Sequence, residues 1–155
     1  MTALSQSDWI ALGSHLGPVL YQLPPGWKLD LPRLEHFLQV VPTDVPQVLE
    51  FRDTSWYADE VLALLEKRHI ALCLHDMRGS ASPRIRTAPF VYVRYHGPGG
   101  TYSGGYSRER LMAWAGWLSE QQAGGADIYA YFNNDVGGHA PRDALTLERL
   151  MEGLA

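Results

Sequence analysis

The feature that most constrains this chain is a repeated alternation of short apolar runs with helical patterns, each run ending in polar or charged residues. Val48–Arg52 is a strand carrying Glu50-Phe51-Arg52-Asp53 at its end, and Ile70–Leu74 leads into His75-Asp76. Phe90–Val93 leads into Arg94-Tyr95-His96-Gly97, and Ile128–Phe132 into Asn133-Asn134-Asp135. A run of four to eight apolar, β-branched or aromatic residues bounded by turn formers reads as a buried strand. In parallel α/β proteins the strand ends and the loops after them form the ligand-facing rim. The pattern therefore places any site at those polar ends.

The helical segments fit between the runs. Pro18–Leu23 is the first strand, stopped by Pro24-Pro25-Gly26. Asp30 caps a helix with Pro32 in its first turn, where Leu34, Phe37, Leu38 and Val41 share a face. A second helix runs from about Trp56 to Arg68, with Val61, Leu64 and Leu65 inward. Ser107 caps a third, with Leu111, Trp114, Ala115 and Leu118 inward, and Pro141 starts a fourth carrying Leu147, Leu150, Met151 and Leu154. Met77–Pro89 has no helical period and reads as a long loop or a poorly formed helical turn. Right-handed crossovers turn five such βα units into a parallel sheet covered by helices. A doubly wound open sheet is complete at this length, whereas a (β/α)8 barrel needs at least about 200 residues. Local patterns do not separate the two.

Composition excludes several classes. The 155 residues are 46% hydrophobic and 19% charged, enough for one apolar core. A formal charge of −4 gives no global attraction to nucleic acid or anionic membrane. Cys73 is the only cysteine, which excludes an intrachain disulfide and a multi-cysteine metal site; its apolar neighbours predict a buried, inert thiol. No run of about 18 apolar residues is present, so no membrane partner is expected and the location expected is cytoplasmic.

The residues with chemistry are read by strand parity. Glu50 and Arg52 share one face, as do Tyr92, Arg94 and His96. If that face points inward, a carboxylate, two guanidinium groups and an imidazole converge near the rim, and two arginines hold a carboxylate or phosphate well. Glu50, Arg52, Arg94 and His96 are the candidate catalytic set, with Glu50 or His96 as proton carrier. The competing reading is a structural Glu–Arg network. Candidate ligand-binding residues are Gln22, His75, Asp76, Gly97, Tyr102, Tyr106, Asn133 and Asn134. The Gly97–Gly105 loop before the Ser107 cap offers backbone N–H groups to an anion, against a purely structural turn. Asn133, Asn134 and Asp135 either orient a polar ligand or stabilise a turn.

Glu50, His75, Asp76, His96 and His139 are weighed as metal ligands, but no HxxxH or HExxH spacing occurs and no metal is assigned. His15, His36 and His69 read as solvated helix or turn residues. No GxxxxGK[ST], GxGxxG or GxSxG signature is present, so nucleotide binding and a serine nucleophile are unsupported, and the cofactor stays unknown. Trp56 reads as core or as a pocket wall.

Several phrases in fixed order carry a resemblance. They are Leu16–Pro25, Glu50-Phe51-Arg52 with Ser55-Trp56, Tyr92–Gly97, Tyr102 with Gly105-Tyr106-Ser107 before a Trp114-containing helix, and Tyr129–Asp135 before Ala140-Pro141. Together they resemble the YecE-like family, also called domain of unknown function 72, over nearly the whole chain. The resemblance implies an incomplete TIM-type (β/α)8 barrel, one partial domain over 1–155 holding about strands four to eight with outer helices. The family's first three strands and its Gly-Thr-Ser-Gly-Trp-like start are absent, and Met1–His15 looks like the tail of the helix leading into strand four. A fragment, a mis-started reading frame or a decayed gene would each read this way.

Three functions follow as expectations, and whether the protein is an enzyme stays open. The first is a rim site for a small anionic, phosphorylated or sugar-like ligand, isomerase-like by fold analogy. The second is a non-catalytic ligand- or nucleic-acid-binding module using Arg78, Arg84 and Arg86, with nucleic acid the less favoured partner. The third is an inactive fragment. Open sheet edges lead us to expect a marginally stable chain that self-associates or needs a separate N-terminal half.

Overall fold

The structure is a computed structural model that describes residues 12–100 and 102–154. The part of the Met1–His15 helix tail that precedes Leu12 lies outside the described residues. Five strands pair in parallel: β1 (Val19–Gln22), β2 (Gln47–Glu50), β3 (Ala71–Met77), β5 (Phe90–Gly97) and β6 (Asp127–Phe132). Their order in the sheet is β1-β2-β3-β5-β6, following the chain. It does not reverse about an early strand, as a doubly wound sheet does.

The long loop after β3 contains one more element. Ser80–Ala81 forms β4, a two-residue strand antiparallel to the end of β3. Two residues carry no readable period, and their pairing rests on the turn at Gly79, whose φ is +76.

Among the described residues four α-helices connect and follow the strands: α1 (Leu31–Val40), α2 (Asp59–Lys67), α3 (Arg108–Ala123) and α4 (His139–Glu152). The expected caps form. Asp30 accepts from the Arg33 amide at 3.1 Å and Ser107 from the Arg110 amide at 3.3 Å. The start of the second helix differs, because Asp53 accepts from the Ser55 amide at 3.0 Å and holds Thr54–Tyr57 as a separate 3-10 turn. The last helix begins two residues before Pro141, at His139.

All four helices pack on one face of the sheet. Leu34, Leu38, Val61, Leu65, Leu111, Trp114, Leu118, Leu147 and Leu150 join Leu49, Leu72, Leu74, Val91, Val93 and Tyr95 in a single core. Each buried side chain of this size contributes roughly 1.5–3 kcal/mol. The alternate residues of the same strands point the other way, where Val48, Ala71, Cys73, Phe90 and Tyr92 form a smaller apolar group. Cys73 is buried there, and burial pushes its thiol up, which keeps it inert. Among the described residues β1 and β6 each pair on one side, and they are less buried than the strands between them. No described helix is long and apolar enough to cross a membrane.

Candidate functional site

The face opposite the described helices carries the charged residues at its C-terminal end. Pairing Gln22 with Glu50, and His75 with Arg94, puts these side chains in adjacent rows. Glu50 is fully buried at the centre. Its Oε2 accepts from Arg94 at 2.6 Å, and its Oε1 pairs with Arg52. Arg94 also donates to Gln22 Oε1 at 3.0 Å. A second nitrogen of Arg52 lies against the Met77 sulphur. The four residues expected to converge, Glu50, Arg52, Arg94 and His96, do converge.

Burial pushes the Glu50 carboxyl up, but the Arg94 and Arg52 guanidiniums outweigh burial and hold it at about 2. Burial alone lowers the affinity of Arg94 for its proton, and Glu50 more than restores it. One carboxylate against two guanidiniums leaves a positive charge on this face. Arg94 is the more accessible of the pair, with 19% of its side chain exposed against 10% for Arg52.

His96 reaches the cluster through an irregularity in the sheet. Asp76 pairs with Tyr95 but Met77 pairs with Gly97, so His96 is the extra residue of a bulge. Its Nε2 lies 3.0 Å from Arg52 and 3.8 Å from Glu50 Oε1. A guanidinium only donates, so Nε2 accepts from Arg52, which puts the ring proton on Nδ1. At 3.8 Å the carboxylate is a neighbour of the ring, not its hydrogen-bond partner.

His75 sits one strand over and is buried. β4 holds it, with Ser80 Oγ at 2.9 Å from Nε2 and Ser82 Oγ accepting from its backbone N–H at 2.9 Å. Burial, and then the Arg52 charge, lower its pKa to about 4, so the ring is neutral at pH 7.

The other expected ligand residues have framework partners. Asp76 follows His75 and so points to the helix side, where Arg110 grips both carboxylate oxygens and Trp114 Nε1 donates at 2.9 Å. It does not join the cluster. Gly97 donates its amide to Tyr106 Oη at 3.0 Å, and Gly99 donates to Ser103 O at 2.9 Å. With Ser107 capping α3, these groups already have partners within the fold. The Tyr106 hydroxyl donates in turn to Asp76 O at 2.9 Å, and the residue is buried. Asn134 is buried too, donating to Gly104 O and to Asp143, which also accepts from the Tyr106 amide. This Asp143–Asn134–Tyr106 lock on the loops after β5 and β6 has no local sequence signal, because its members are 9 and 37 residues apart.

Asn133 keeps the parity of Tyr131 and is tied by its amide to Tyr95 O at 2.8 Å. Tyr102 is half exposed, with its ring 5.6 Å from that of His96. Trp56 is core: it stacks on Phe51 at 4.8 Å and donates to Trp27 O at 2.6 Å. It also walls a groove of about 600 Å3 beside β1 and α1. The three loop arginines turn to different neighbours: Arg78 donates to Gly99 O, Arg84 donates to Ala113 O while lying over the Trp114 ring, and Arg86 reaches toward Gly124. Among the described residues no group of three or more His, Cys, Asp or Glu is placed to hold a metal ion. Asp76 and His139, weighed for that role, stand on the helix side and against Gly105 respectively.

Residues 3–154 match the model of the family described as "Protein of unknown function DUF72". The UPF0759 protein YunF of Bacillus subtilis is 26% identical over 167 residues, covering 90% of this chain and 59% of its own length. A DUF72 family protein from Thermotoga maritima superposes with a TM-score of 0.81 at 23% identity, covering 92% of this chain and 60% of that one. One from Enterococcus faecalis gives 0.79 at 16%, covering 92% and 61%. The two solved structures share the fold, and the chain spans about three fifths of the length of each of these relatives. The chain belongs to the DUF72 family.

Proposed function

We propose that the face opposite the described helices is the inner wall of part of a TIM-type barrel, and that its rim binds a small anionic, phosphorylated or sugar-like ligand. The sequential strand order and the one-sided helices support the barrel reading. The observation that carries the ligand reading is the Arg52–Glu50–Arg94 triad, in which two guanidiniums share one buried carboxylate. Glu50 fixes the two arginines, and Arg94 presents the donors to the anion. A carboxylate held at about 2 is a poor base at neutral pH, so in any isomerase-like proton transfer the carrier is His96. The open flanks of β1 and β6 also support marginal stability with self-association through those edges. A light-scattering mass of one chain together with an ordinary cooperative melt would remove that part of the proposal.

Calorimetric titration with phosphate and with sugar phosphates tests the ligand reading. Heat of binding to the parent chain, abolished in a folded Arg94→Gln variant, is the expected result. Equal binding by both proteins would overturn it.

A further inference from the structure

Two exposed tyrosines flank the charged cluster. Tyr131 follows the inner parity of β6 and is the register partner of Arg94. Its ring stacks on buried Tyr92 at 4.8 Å and 28°, yet the residue remains 44% exposed. Tyr92 in turn stacks on Tyr129 at 6.4 Å, so the exposed ring stands on a fixed aromatic column. Tyr102, 48% exposed, lies 5.6 Å from the His96 ring.

The placement of Tyr102 comes at a conformational cost. Its φ of +53 lies in the left-handed region, which bulky residues seldom adopt. The surrounding loop holds it there: Val136 donates to Tyr102 O at 3.2 Å, and Ser103 bridges both Gly100 and Val136. Strained residues that the surroundings over-determine cluster at ligand sites. Neither ring is needed by the apolar core, since both lie outside its buried clusters. Aromatic faces beside a cationic anchor suit a ligand with one charged end and one flat apolar face.

We propose that the ligand carries its anionic group on a ring, with the anion held by Arg94 and Arg52 and the ring packed against Tyr131 and Tyr102. This rests on the anion reading above and narrows it from small anions in general to ring-bearing ones. Acyclic anions make the arginine contact and gain nothing from the tyrosines.

The test titrates the 155-residue chain with inorganic phosphate, glycerol 3-phosphate, glucose 6-phosphate and phenyl phosphate. At least one ring phosphate binds about three- to tenfold tighter than glycerol 3-phosphate, the range aromatic contacts supply. Whether glucose 6-phosphate or phenyl phosphate shows the gain distinguishes a sugar ring from an aromatic one. In a Tyr131→Leu/Tyr102→Leu double variant the ring preference vanishes while inorganic phosphate binds as before. Tyr131→Phe keeps the preference, which separates ring packing from a loss of folding.

Equal affinity for ring and acyclic phosphates in the parent chain, with all four lost in Arg94→Gln, sinks the ring inference and leaves the anion reading standing. Binding of none of the four, or binding indifferent to Arg94→Gln, overturns the anion reading and this inference with it.

Discussion

Glu50 and Arg94 are 44 residues apart in the chain and joined at 2.6 Å in the fold, the carboxylate with no exposed surface at all. Only the sheet brings them together: β2 pairs with β3, and β3 with β5. A buried carboxylate shared by two guanidiniums is costly to break from the anionic side, because both cations then lose their partner. Glu50→Gln is therefore expected to destabilise the chain by about 3 kcal/mol. Urea denaturation of the two proteins side by side measures it. A midpoint unchanged by the substitution would mean that water already screens the triad.

Acid should lower the stability of the chain over two windows of pH. His75 has a folded pKa of about 4 against 6.5, so between those values the unfolded state takes up the proton first and stability falls as pH falls. Glu50, held at about 2 against 4.5, contributes stability that is present above 4.5 and is lost as pH drops toward 2. Each shift is worth up to about 3 kcal/mol at the far end of its window. His75→Gln should flatten the stability curve between pH 6.5 and 4 and leave the lower window in place. Denaturation midpoints at half-unit pH steps report both slopes.

Much of this arrangement was legible from strand parity. Glu50, Arg52, Arg94 and His96 alternate with apolar residues that face the helices, and for Glu50 and Arg94 the period of two carries over unchanged into the fold. The same period shows why Asp76 left the group: neighbours in a strand point to opposite faces, so His75 and Asp76 could not both face the rim. Other features depend on contacts with no local signal. The bulge that admits His96 arises from a register change against β3, and the clamp on His75 comes from a two-residue strand. The Gly97 and Gly99 amides read as free in the sequence because their partners, Tyr106 and Ser103, are fixed only when the loop folds back.

Gly97 is required by its backbone. Its φ is +93, and a Cβ there would overlap the Ser103 carbonyl oxygen, a backbone atom that cannot swing aside. Gly97→Ala should cost about 1–3 kcal/mol through the unfavourable dihedral, with the overlap adding to it. The thermal midpoint of the variant measures this, and a midpoint within a degree of the parent would contradict the geometry.

Tyr106 couples the site's two loops to the sheet. Its hydroxyl donates to Asp76 O at 2.9 Å and accepts from the Gly97 amide at 3.0 Å, while its own amide is held by Asp143. Tyr106→Phe keeps the ring among Tyr95 and Phe132 and removes only the oxygen. A buried amide without a partner costs about 1–3 kcal/mol, so the variant should be less stable by that amount. The loss should also be local. Hydrogen exchange at Gly97 should accelerate well beyond that at Leu74 and Val93, which pair across β3 and β5 in the sheet. Uniform acceleration across the sheet would mean that the hydroxyl stabilises the whole fold and does not specifically pin the loop that carries Tyr102 toward His96.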